Sequence, residues 1–177
     1  MDKLELMECT LADVKTLQAV SIETFSDTFG AQNTAENLQN YLEKAYNQQQ
    51  LRHELTNPNS SFFFLKKANH IVGYLKLNTA EAQSEQVADN ALEVERIYIR
   101  QAYLRQGYGN YLIKVAEIIA RQQRKKAIWL GVWKHNANAL AFYTKMGFTQ
   151  IGAHSFYMGD DQQTDLILLK KLEELKK

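Results

Sequence analysis

The sequence predicts a single mixed α/β domain spanning residues 1–177, and three observations carry that reading. Apolar positions recur at helical spacing in the first third of the chain, the period then changes to strand-like runs rich in aromatic and β-branched residues, and strands and helices alternate thereafter. A chain of 177 residues with 45% hydrophobic and 11% aromatic content can close a real core, and its length suits one domain. Finally, no repeat or low-complexity tract divides it. The one long polar stretch, TAEAQSEQVADNA at 79–91, reads as a surface loop between two strands, because neither half looks able to bury a core alone.

Taken in order, the opening MDKLELMECT is acidic and lacks the apolar core of a signal peptide, and no regular element is assigned before Thr10. Thr10-Leu11-Ala12-Asp13 has the form of a helix start, and Val14, Leu17, Ser21, Phe25 and Phe29 then recur at helical spacing until Gly30 stops the run. Thr34-Ala35-Glu36-Asn37 opens a second helix with a stripe of Leu38, Tyr41, Leu42 and Ala45. A short third one, QQQLRHEL, ends before Asn57-Pro58. SFFFLKKA and HIVGYLKLN, separated at Ala68-Asn69, read as a hairpin. After the polar loop come a strand LEVERIYI at 92–99, a helix over about 108–123, a strand AIWLGVW and a helix over about 136–146. Two final strands lie around TQIGAHSFYM and TDLILLKKL, and the Lys176-Lys177 end is expected to fray.

Composition excludes several functions. Twenty-one Lys and Arg against 20 Asp and Glu leave a net charge of +1, which is not the basic field that nucleic-acid binding requires. A single cysteine, Cys9, rules out an internal disulfide framework and reads as a small buried residue. His135 and His154 lack metal-ligand spacing, so no metal is expected. No segment approaches the roughly 20 apolar residues of a membrane span, so the expectation is a soluble, cytoplasmic protein, a monomer or homodimer, with neither nucleic-acid nor membrane partners.

The most informative stretch is LRQGYGN, which follows one strand and leads into a helix. A helix N-terminus presents unpaired N–H groups and the positive end of the helix dipole, so a glycine turn there is either only a tight turn or an anion site that suits phosphate. The stretch lacks the Gly-Lys-Ser/Thr ending of a nucleotide-binding P-loop and is one glycine short of a dinucleotide fingerprint. It resembles the diphosphate loop of the GCN5-related N-acetyltransferases, Q/R-x-x-G-x-G/A, with Gly107 and Gly109 in the glycine places. That family's second signature, N-x-x-A-x-x-F-Y followed by G-F, is matched at Asn136, Ala139, Phe142, Tyr143, Gly147 and Phe148. The resemblance covers about Thr10 to Leu172. One position departs from it: the Q/R place holds Leu104, and the cation is displaced to Arg105. Within the family, SIETFSDTF, ERIYI, WLGVWKHNANALAFYTKMGF and GAHSFYMGDDQQTDL are similar to the PaiA-type polyamine acetyltransferases of Gram-positive bacteria.

The resemblance implies a central mixed, mostly antiparallel twisted sheet with splayed parallel fourth and fifth strands and flanking helices. It implies acetyl-coenzyme A as cosubstrate and direct acetyl transfer to a small-molecule amine, spermidine or spermine in the PaiA-type case. Main-chain groups of Ile97, Tyr98 and Ile99 would meet pantetheine. The turn formed by Leu104, Arg105, Gln106, Gly107, Tyr108, Gly109 and Asn110 would hold the diphosphate, with Asn136, Asn138, Tyr143 and Lys145 completing the cofactor site.

Acetyl transfer to an amine needs a neutral nucleophile, a donor to the carbonyl oxygen and a proton for the leaving thiolate. Glu93 and Glu95 lie two apart on one strand, so both point to one face, and acidic residues are depleted in strands. Either accepts the substrate's proton, with Glu93 at the spacing of the family's glutamate, or pairs with Arg96 or another base in a structural salt bridge. Tyr143 fills the family's tyrosine place and either protonates the thiolate or packs as a core aromatic. Asn136 and Asn138 bind the cofactor arm or cap the helix, for which one suffices. A polyamine would call for spaced carboxylates: Glu23 and Asp27 on one helical face, Asp160 and Asp161 in a turn, or these are merely solvated. The alternatives are acetylation of a protein N-terminus or other small amine, and an acetyl-coenzyme A-binding regulatory module.

Overall fold

The computed structural model describes residues 3–173, so the Lys176-Lys177 end lies outside the described residues. Seven strands, β1 (Leu4–Glu8), β2 (Ser60–Lys67), β3 (His70–Asn78), β4 (Ala91–Ile99), β5 (Ala127–Trp133), β6 (Thr149–Met158) and β7 (Asp161–Lys171), form one sheet in the order β1-β2-β3-β4-β5-β7-β6. Five helices flank it: α1 (Val14–Phe29), α2 (Ala35–Tyr46), α3 (Gln48–Leu55), α4 (Tyr108–Gln122) and α5 (Ala137–Lys145). Every neighbouring pair is antiparallel except β4 and β5, which run parallel. This is the mixed, mostly antiparallel architecture with one parallel pair that the resemblance implied.

β1 was not expected. It is a five-residue edge strand, too short for alternation to declare it, and it forms by pairing Leu6 with Leu65 and Met7 with Phe64 of β2. β7 begins earlier than the apolar run suggested, because the polar Asp161, Gln162 and Gln163 already pair with Met158, Tyr157 and Phe156 of β6.

Period-two alternation splits the sheet's side chains between two cores. Leu92, Val94, Ile128, Leu130 and Val132 face α4, whose Leu112, Ile113, Ala116 and Ala120 are fully buried against them, and Tyr143 and Phe148 extend this core toward α5. Phe62, Phe64, Tyr74 and Trp133 face the other way, onto Leu17, Phe25 and Phe29 of α1, Leu42 and Tyr46 of α2 and Leu51 of α3. Burying each such leucine or phenylalanine contributes about 1.5–3 kcal/mol. The sheet therefore separates an α4/α5 side from an α1–α3 side.

The parallel pair joins over only three positions, Ala91 with Ala127, Leu92 with Ile128 and Glu93 with Trp129. Beyond Glu93 the strands part. The cause lies in β4: Lys76 pairs with Arg96 and Leu77 with Val94, so Glu95 is an extra, bulged residue. A bulge bends and over-twists its strand, which here carries β4 away from β5 two residues after their last pairing.

Candidate active site

The glycine turn sits at the α4 end of this fork. α2, α3 and α5 are capped by the side chains of Thr34, Asn47 and Asn136, whereas the N-cap of α4 is Gly107, which has none to offer. The N–H groups of Tyr108, Gly109 and Asn110 thus open the helix without intrahelical acceptors. Gly107 holds φ at +85° with nothing within 4 Å of where a Cβ would stand, so conformation, not crowding, demands glycine there. Arg105 is also left-handed, with φ of 62°, and such turns gather successive N–H groups on one side. Leu104, Arg105 and Gln106 are exposed, while Tyr108 is buried beneath the ammonium of Lys67. A Cβ on Gly109 would lie 3.5 Å from the Phe142 ring, so this turn and α5 are brought together.

The fork supplies a free strand edge. The bond from Arg100 N–H to the Val72 carbonyl sets the alternation of the β3–β4 ladder, so Arg96 and Tyr98 direct their main-chain groups at β3. Ile97 and Ile99 consequently turn theirs toward the opening, where no strand among the described residues pairs with them. Tyr98 instead stacks its ring on Tyr74, with centroids 5.8 Å apart, and burial pushes its phenol well up. Tyr143 is buried on the α4/α5 side between Phe142 and Phe148, and burial alone raises its phenol above the usual tyrosine value, so it remains a proton donor at any ordinary pH. Asn136 Oδ1 accepts from Ala139 N–H at 3.2 Å, which makes it the helix cap. Asn138 is exposed beside it, and Lys145 is exposed at the opposite end of α5.

The two glutamates share a face but not an environment. Glu95 closes a ring of charges with Lys76 (2.9 Å) and Arg96 (3.1 Å), both of which also meet Glu54, at 2.6 and 3.0 Å. Burial alone would raise the Glu95 carboxyl, but Arg96 and Lys76 outweigh it and hold it below the ordinary range. Glu93 stands at the last paired position of the fork and is only 3% exposed. Its partners are neutral: Oε1 accepts from Asn78 Nδ2 (2.9 Å) and the Ser84 N–H (2.8 Å), and Oε2 accepts from Ser84 Oγ (2.5 Å). Burial pushes its carboxyl up despite these three bonds. Asn78 Nδ2 also donates to Glu95 Oε1 at 2.8 Å, linking the two carboxylates.

On the α1–α3 side of the sheet the fork opens beside Gly131, the one exposed position of β5, between buried Trp129 and Trp133. A glycine inside a central strand marks a place where something can approach the backbone closely. A Cβ there would meet Asp165 Oδ2 at 3.4 Å. Asp165 is mostly buried, which raises its carboxyl, and its side-chain neighbour is His154, whose Nε2 lies 3.4 Å away and whose Nδ1 lies 2.5 Å from Glu85 Oε1. Of the carboxylates expected to meet a polyamine, Glu23 forms a bidentate pair with Arg100 at 2.7 and 3.0 Å. Asp27 is exposed, Asp160 accepts from Asn37 Nδ2 at 3.4 Å, and Asp161 accepts from Gln163 Nε2 at 2.7 Å. Asn78, Ser84, Gly131 and Asp165 were not anticipated; the glycine within AIWLGVW was the only local signal for any of them.

Residues 20–148 match the model of the acetyltransferase (GNAT) family. The chain belongs to the GCN5-related N-acetyltransferases. An uncharacterized N-acetyltransferase of Lactobacillus delbrueckii subsp. lactis is 42% identical over 172 residues, covering 97% of this chain and 99% of that protein. One from Mycobacterium tuberculosis is 24% identical, over 92% of this chain and 99% of its own. Among solved structures, the PaiA N-acetyltransferase of Thermoplasma acidophilum in complex with coenzyme A superposes with a TM-score of 0.77 at 22% identity, over 96% of this chain and 99% of that one. That likeness concerns the fold.

As a GCN5-related enzyme the chain is an acetyl-coenzyme A-dependent N-acetyltransferase, and its residues fit that cosubstrate: an uncapped helix start behind a left-handed glycine, next to an unpaired strand edge. Among the described residues no group of three or more His, Cys, Asp or Glu side chains could hold a metal ion, and no helix is long and apolar enough to cross a membrane.

Proposed function

We propose that the chain acetylates a primary amine of a polyamine such as spermidine or spermine, by direct transfer while both substrates are bound. The observation that carries this reading is the set of carboxylates on the α1–α3 side of the fork: Asp165 lies against the open backbone of Gly131, His154 bridges Asp165 and Glu85, and Glu93 stands at the last paired position of β4 and β5. Such a surface attracts and orients an acceptor bearing several ammonium groups. The PaiA identity of the coenzyme A-bound neighbour is in keeping with it.

Acetyl-coenzyme A supplies a thioester activated toward a neutral amine. The N–H groups of residues 107–110 hold its diphosphate, and the outward main-chain groups of Ile97 and Ile99 hold the pantetheine arm, where an N–H polarises the thioester carbonyl. Glu93 takes up the proton that the substrate ammonium must lose, directly or through a water. Its raised carboxyl makes it a better base at neutral pH than the ion-paired Glu95. Tyr143, approaching from the opposite side of the sheet, donates a proton to the leaving thiolate and is restored by the second proton, which the attacking nitrogen sheds as the amide forms. Asp165 anchors a second ammonium.

The test is thiol release from acetyl-coenzyme A across a panel of polyamines, monoamines and peptide N-termini, with products located by mass spectrometry. Spermidine and spermine should give the highest kcat/KM. Preference for a peptide or a single monoamine overturns the substrate, and tight coenzyme A binding without thiol release to any amine would favour a regulatory role.

A further inference from the structure

The loop between β3 and β4 is fastened across the fork by three consecutive residues, each to a different strand. Gln83 Oε1 accepts from Trp129 Nε1 of β5 at 2.8 Å, Ser84 bonds Glu93 of β4, and Glu85 meets His154 of β6. The middle fastening bears on the chemistry. We infer that Ser84 is a positioning residue for Glu93, whose hydroxyl aims Oε2 of the carboxylate and stays bonded to it both before and after the carboxylate receives the substrate's proton. This rests on the reading of Glu93 as the base.

The argument is one of donors and acceptors. When an ammonium passes its proton to Glu93, a neutral amine and a carboxylic acid result, and the new O–H needs an acceptor. Two of the three partners cannot become one. The Ser84 N–H only donates, and the Asn78 amide is locked with Nδ2 toward the glutamates because Nδ2 also donates, at 2.8 Å, to Oε1 of the ion-paired Glu95, which can only accept. Both bind Oε1, so the proton is excluded from that oxygen. Oε2 meets only the Ser84 hydroxyl among these partners, and a hydroxyl can rotate from donor to acceptor. Ser84 is thus the one partner that serves both protonation states, and Oε2 is the oxygen that takes the proton.

The experiment measures kcat/KM against pH for wild type, Ser84→Ala, Ser84→Thr, Gln83→Ala and Glu93→Gln, using whichever amine turns over best, together with a 13C NMR titration of the Glu93 carboxyl. Ser84→Ala removes a charge-assisted donor and keeps the main-chain bond, so the ionised form is disfavoured. The acid limb should move upward by about one to two pH units, with the limb from the substrate amine unmoved. Ser84→Thr should restore the wild-type limb. Gln83→Ala, which loosens the same loop without touching Glu93, should leave that limb in place. If Ser84→Ala does not fold, Ser84→Cys, with its weak donor, gives the same comparison. An unmoved limb and unmoved titration in Ser84→Ala, with Glu93→Gln impaired, overturns the role of Ser84 alone. Wild-type behaviour of Glu93→Gln across the series overturns the base assignment, and the inference with it.

Discussion

Replacing Glu95 and Glu93 separately by glutamine should divide stability from catalysis. Glu95→Gln leaves the buried Lys76 and the half-buried Arg96 sharing Glu54 as their remaining carboxylate in the ring. Removing one partner of a buried pair costs about 3–5 kcal/mol; the amide oxygen still offers Lys76 an acceptor, so the lower end, about 3 kcal/mol, is expected. In a domain of this size each kcal/mol moves Tm by about 2–4 °C, which gives a fall of about 6–12 °C by calorimetry at pH 7. Glu93→Gln should stay within about 1 kcal/mol of wild type, since the bonds it alters come from neutral partners and its charge is held unfavourably.

The pH dependence has a definite sign for each glutamate. Glu95 has a depressed folded value, so its contribution is present above the ordinary carboxylate value of 4.5 and fades as pH falls through the lower folded one. The Tm gap between wild type and Glu95→Gln should therefore close in acid. Glu93 is raised, so its ionisation weakens the wild type as pH rises, and Glu93→Gln should gain on it in that direction. Turnover should follow the opposite partition, with Glu93→Gln losing most activity at neutral pH and recovering part of it in alkali. A Glu95→Gln protein with wild-type Tm and no turnover, beside an active Glu93→Gln with a large drop in Tm, would refute this assignment.

Gly107→Ala places a Cβ in the left-handed region, costing about 1–2 kcal/mol or reshaping the turn; calorimetric titration should show weaker coenzyme A binding, and unchanged affinity and Tm would remove the turn from the site. Tyr143→Phe keeps the packing against Phe142 and Phe148 and loses only the hydroxyl, so coenzyme A affinity should hold while kcat falls by about 10²–10⁴-fold; a change within about twofold makes Tyr143 structural. Asp165→Asn should raise KM for spermidine more than for a monoamine of matched length, with kcat little changed, and equal effects on both would detach Asp165 from the second ammonium.

What the sequence by itself determined is local. The Thr10 cap with Asp13, the stripe from Val14 to Phe29, the hairpin at Ala68-Asn69, the glycine turn and the Asn136 cap all follow from backbone geometry and side chains a few residues apart, and each stands where it was expected. β1 escaped because an edge strand of five residues is defined by its partner's hydrogen bonds more than by its own alternation. The bulge at Glu95 escaped for a related reason. Strand periodicity does predict that Glu93 and Glu95 share a face, but only pairing with β3 makes Glu95 the unpaired residue, bends β4 away from β5 and leaves Ile97 and Ile99 facing an opening.

The tertiary structure alone decided which glutamate is ion-paired and which is free of counter-charge. Glu54 reaches Lys76 from 22 residues away, and His154 reaches Glu85 from 69 away. The sheet order sets β5 between β4 and β7, and that arrangement brings Asp165 to the floor at Gly131. A carboxylate's basicity depends on the charges and donors within a few ångströms of it, and folding, not sequence distance, selects those neighbours.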